Sequence, residues 1–115
     1  MTTITFHSAQ GRLDGLAVEG HSGYADEGSD IVCAAISSTV GMCECIFNEV
    51  LGLSADLKMR PDEAGLTLRL PGGLSHQTEH TCQTLLTGLL VYLQNLSGDY
   101  PDYLVVRLDD DDEEN

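Results

Sequence analysis

Two apolar stripes of helical period, each set among runs that alternate apolar with polar residues, constrain the fold of this chain more than any other feature. Val32, Ile36, Val40, Cys43, Phe47 and Val50 recur at steps of four, four, three, four and three, the spacing that lines up one face of an α-helix. The run predicts a helix that starts after Asp30 and ends near Gly52. Cys82, Leu85, Leu86, Leu89, Leu93 and Leu96 repeat the pattern and predict a second helix over 75–96, closed by Ser97-Gly98. Both stripes need an apolar surface to cover.

The alternating runs supply that surface. Ile4 and Phe6 alternate with Thr5 and His7, and Gln10-Gly11 turns the chain into a second run through Leu16 and Val18. Ala55, Leu57 and Met59 form one side of a second hairpin, with Leu66, Leu68 and Leu70 on the other and a turn over 61–65 between them. A last strand runs from Tyr103 to Leu108. The order ββαββαβ predicts an α+β two-layer sandwich, two helices on a mainly antiparallel sheet, with the strand order left open.

One domain over residues 1–108 holds all of this, and a chain of 115 residues buries a core without metal or disulfide staples. No apolar run is expected to approach the ~20 residues of a membrane span, and the first ten residues lack a secretory pattern. The expectation is therefore a soluble, cytoplasmic protein with no membrane partner and reduced thiols. Cys43 and Cys45, two apart on a helix, diverge, so all four cysteines are expected as thiols. The formal charge of −14 argues against nucleic acid and favours a basic partner. Six of those charges lie in Asp109–Glu114, and 109–115 read as an acidic, solvated, disordered tail.

Chemistry concentrates near the first helix. Asp30 is a favoured N-cap type before the stripe; as the cap, it puts Cys33 in the first turn, where unpaired N–H groups and the helix dipole favour a thiolate. A backbone N–H there, such as that of Cys33, could hold an oxyanion. Cys33 shares a small, polar face with Ser37 and Gly41. By position alone Cys33 reads as readily as a small buried residue. His21 precedes the helix across a loop that has glycines at 20, 23 and 28 and could move. It could take the thiol proton and return it to a leaving amine, or be a surface or structural histidine.

Gly20-His21-Ser22-Gly23-Tyr24-Ala25, then Gly28, then Asp30-Ile31-Val32-Cys33-Ala34-Ala35-Ile36-Ser37 resembles the signature of the ribosomal-processing cysteine protease family, Prp. The element order resembles that family as well, short of the acidic tail. The resemblance implies a thiol protease with His21 and Cys33 catalytic. Asp30 would cap the helix or orient the histidine, and Ser37 would hydrogen-bond at the site. It further implies a homodimer with no cofactor, and a basic precursor as substrate: large-subunit ribosomal protein number twenty-seven, from which the family removes a short N-terminal extension. Cys43, Cys45, the tail and Ser22 depart from the pattern.

Two other readings compete with this one. A non-catalytic ribosome-assembly module would hold the same basic protein without cutting it. His76-Gln77-Thr78-Glu79-His80 fits the H-x-x-E-H of inverted zinc proteases, but only 35 residues follow His80, with no ligand-rich helix to complete a site; it reads as a polar first turn, and no metal is expected.

Overall fold

The structure is a computed structural model that describes residues 1–20, 27–60 and 65–111, with the side chains of 27–30 and of 60 outside the description. Its elements are β1 (Thr2–Ala9), β2 (Arg12–Glu19), α1 (Glu27–Cys45) continued by a π-helical turn (Ile46–Val50), β3 (Asp56–Arg60), β4 (Gly65–Arg69), α2 (His76–Asp99) and β5 (Leu104–Asp110). The predicted order and the α+β class hold. Gln10 and Gly11 carry φ of 56° and 75°, and two positive φ values in a row make the turn whose twist matches the flanking strands.

The five strands form one sheet in the order β3-β4-β2-β1-β5. Only β1 and β5 run parallel; the other neighbours are antiparallel. Each helix therefore joins two parallel strands that are not neighbours, α1 from β2 to β3 and α2 from β4 to β5. The second crossover runs in the opposite strand direction and towards the opposite edge. Reversing both leaves the hand unchanged, so the right-handed rule sends both helices to the same face. The burial pattern agrees: Thr2, Ile4, Phe6 and Ser8 of β1 are all buried, while the residues between them are half-exposed. Ile4, Phe6, Leu16, Val18, Leu68 and Leu104 meet Val32, Ile36, Val40 and Phe47 of the first helix and Cys82, Leu86, Leu89 and Leu93 of the second in one core.

Four features differ from the sequence reading. α1 begins at Glu27, a turn before the expected start; acidic Glu27 and Asp30 suit that end of the helix dipole. Val50 is 71% exposed rather than part of the stripe, because i→i+5 bonding in the π turn puts more residues in each turn and rotates it off the buried face. The segment Ile31–Val50 is long and apolar enough for a membrane span, contrary to the expectation, although its stripe is turned onto the sheet. Finally, β5 takes in Asp109 and Asp110, which the reading assigned to the tail; residues 112–115 lie outside the description.

Two polar clasps hold the ends of elements. The Asn48 amide accepts from the Ala55 N–H at 2.8 Å and donates to the Ala55 carbonyl at 3.0 Å, so one side chain acts as a strand neighbour for the residue that leads into β3. On the open face a bulge in β2, opposite His7 and Ser8, aims Asp14 at the His7 ring. His7 Nδ1 lies 2.6 Å from Asp14 and Nε2 2.8 Å from Asp111, just beyond β5. These two carboxylates raise the pKa of His7, the Asp14 hydrogen bond most.

Asn48→Ala leaves both backbone groups of Ala55 without their partner, and the midpoint of urea unfolding should report a loss of about 1–3 kcal/mol. The His7 clasp contributes fully below the unfolded histidine pKa of about 6.5 and fades as pH rises through the higher folded value. His7→Ala should therefore cost about 1 kcal/mol at pH 6, and the gap to the parent protein should narrow by pH 9 when thermal unfolding is followed at both.

Candidate active site

The four cysteines are thiols in three different settings. Cys43 and Cys82 are buried in the core, and burial pushes both thiols up, with Glu79 adding to the effect at Cys82. Cys45 is exposed, but Glu49, and to a lesser degree Glu44, raises its pKa. In all three the shift disfavours the thiolate, the better nucleophile. Cys33 is half-buried on the flank of α1, and a substrate atom can approach it there. Ser37, one turn further on the same face, is exposed, as is Gly41.

Because α1 starts at Glu27, Cys33 stands in its second turn rather than its first. Two expectations change with that. Asp30 lies inside the helix and does not cap it, and its side chain is outside the description. The N–H of Cys33 falls past the first four amides, which alone lack a partner within a helix, so it belongs to the helix ladder and is not an oxyanion donor. The dipole also falls off within the first turn, which leaves the activation of Cys33 to another group.

The topology supplies the route by which such a group arrives. β2 ends at Glu19, paired with Thr3, whereas β3 starts at Asp56, level with Arg69 and with Gly15, four residues back along β2. α1 and its π turn span that length, so Cys33 lies towards the end where β2 finishes and the chain continues to His21. His21 itself lies outside the described residues. The last described residue before it, Gly20, has φ 82° and sits against the Met1 carbonyl. The sequence reading saw Gly20 as a loop glycine able to move and as the first residue of the family signature; no pattern along the chain reveals a contact between residues 20 and 1.

The apolar groove between the helices is elsewhere. Thr39, Met42 and Cys43 of α1 face Leu85, Leu89 and Tyr92 of α2 across about 330 Å³. Met42, about two and a half turns beyond Cys33, points the opposite way. At the start of α2, Ser75 caps the helix by accepting from the Thr78 N–H. Glu79 of the H-x-x-E-H run is held by Arg12 at 2.7 Å and by Gln83, while His76 and His80 are exposed. Among the described residues no group of three or more His, Cys, Asp or Glu is placed to hold a metal ion.

Comparison with known proteins shows the family and the fold. The chain is 28% identical over 87 residues to the ribosomal processing cysteine protease Prp of Bacillus subtilis (strain 168), covering 76% of this chain and 78% of the relative. The fold matches SMU.848 from Streptococcus mutans with a TM-score of 0.82 at 23% identity, over 96% of this chain and 95% of that one. It matches the essential ribosomal processing protease Prp from S. aureus in complex with a substrate peptide with a TM-score of 0.78 at 18% identity, over 94% and 99%. The family model described as cysteine protease Prp matches residues 1–105, and the chain therefore belongs to the Prp family of ribosomal processing cysteine proteases.

Proposed function

We propose that this chain hydrolyses a peptide bond with Cys33 as nucleophile and His21 as general base. The observation that carries the reading is the contrast among the cysteines: burial or neighbouring carboxylates raise the pKa of three, and Cys33 stands half-buried near the end of the sheet from which the chain continues to His21. The imidazole takes the thiol proton as sulfur attacks the scissile carbonyl, then protonates the leaving amine, which departs with the C-terminal product. Water, deprotonated by the same imidazole, opens the thioester and frees the N-terminal product and the thiol. Asp30 orients the imidazole, and Ser37, exposed one turn from Cys33, hydrogen-bonds the substrate.

The substrate proposed is the extended precursor of large-subunit ribosomal protein number twenty-seven, cleaved to remove its N-terminal extension in the cytoplasm by a homodimer. The family membership supports this, as does charge. A chain of formal charge −14 attracts a basic protein over distances of about a Debye length and raises its encounter rate. A non-catalytic assembly module would have no use for an accessible thiol at this position.

Cys33→Ala should abolish cleavage of the extended precursor, and His21→Ala should lower kcat/KM by about 10²–10⁴-fold, with circular dichroism unchanged in both; product mass reads the result. Wild-type rates in either variant would remove the dyad. Iodoacetamide at mildly acidic pH should label Cys33 ahead of Cys43, Cys45 and Cys82, and peptide mapping should show that the preference disappears in His21→Ala. Equal labelling in the two proteins would mean that the imidazole does not activate the sulfur.

A further inference from the structure

We propose that Gly20 is a positioning residue of this reaction: its bare Cα, packed against the Met1 carbonyl in the left-handed region, sets the direction in which the chain leaves β2 towards His21. The inference rests on His21 acting as the base. A Cβ added at Gly20 would lie 2.9 Å from the Met1 carbonyl oxygen, closer than real contacts of that kind, and φ is 82°, where L side chains are strained. Either constraint alone favours glycine.

The oxygen cannot step aside. The Met1 carbonyl belongs to the same peptide unit as the Thr2 N–H, which donates to the Tyr103 carbonyl at 2.8 Å, and the next residue, Thr3, is paired with Glu19 on one side and with Val105 on the other. A side chain at position 20 must therefore be accommodated by rotating residue 20 itself, and that rotation re-aims everything attached beyond it, beginning with His21. A displacement of about 1 Å in a catalytic group is enough to cost about 10²-fold in rate. Gly11 provides a control within the molecule: its φ is 75°, and a Cβ there meets nothing within 4 Å. Substitution there strains the backbone without the contact.

Cys33 allows a direct test, because a synthetic thioester of residues 1–32 can be ligated to expressed 33–115 with no change of sequence at the junction. Four full-length chains are compared: the parent, Gly20→Ala, the chain with D-alanine at position 20, and Gly11→Ala. D-alanine favours positive φ and places its methyl away from the Met1 oxygen. Gly20→Ala should lose about 10²-fold in kcat on the extended precursor, with KM within about threefold, and its Cys33 alkylation at mildly acidic pH should fall to the level of His21→Ala. The D-alanine chain should recover activity to within about threefold of the parent, as should Gly11→Ala. Gly20→Ala as active as Gly11→Ala would overturn the inference. So would an inactive D-alanine chain, which also decides the matter should Gly20→Ala fail to fold. Cleavage by His21→Ala would instead remove the dyad reading, whereas an inactive His21→Ala beside an active Gly20→Ala would remove the positioning role alone.

Discussion

The burial of two apolar helical stripes on a single face of the sheet is the constraint on which the rest of the structure depends. Phe6, Phe47, Leu86 and Leu93 are almost wholly removed from water in that layer, and each such side chain contributes about 1.5–3 kcal/mol through the loss of its apolar hydration. Handed crossovers in opposite senses bring both helices to that face. The other face is left to Lys58, Thr67, Ala17, Thr5 and Arg107, a row across all five strands, where polar and small side chains meet solvent.

That same layer sorts the thiols. Cys43 and Cys82 lie within the core and serve it as small apolar side chains. Cys45 turns outward but stands beside Glu49 and Glu44, whose charge opposes a thiolate. Cys33 is one position along from buried Val32, about 100° round the helix, which carries it from the core to the flank of α1. The early start of α1 also moves it away from the helix mouth. The helix thus holds the sulfur in place beyond the turn where its dipole is strongest, so the reactivity proposed for it depends on the imidazole, and the path of the chain through Gly20 acquires its importance.

Much of the architecture could be read along the chain because it rests on periodicity. The stripe of Leu86, Leu89, Leu93 and Leu96 and the alternation about Ile4 and Phe6 report faces directly, and both are buried as expected. The expectation at Val50 failed because a π turn is invisible to a pattern that assumes a constant pitch. His7 alternates with Phe6 like any half-exposed strand residue, yet its ring joins Asp14 and Asp111, partners set by a bulge and by a parallel strand that arrives about a hundred residues later. Asn48 likewise gives no local sign that it completes the backbone of Ala55.

By itself the sequence determined the element order, the two-layer class and, through the run from Gly20 to Ser37, the family, and it singled out the pair proposed to carry the chemistry, since these follow from local spacing and from side-chain type. Only the tertiary structure decided the strand order, the turn of α1 in which Cys33 stands, which thiols burial or charge pushes to higher pKa, and why position 20 is glycine. Each of these depends on groups far apart in the chain meeting at a fixed distance, and such a meeting is a property of the closed fold, with no periodicity to announce it.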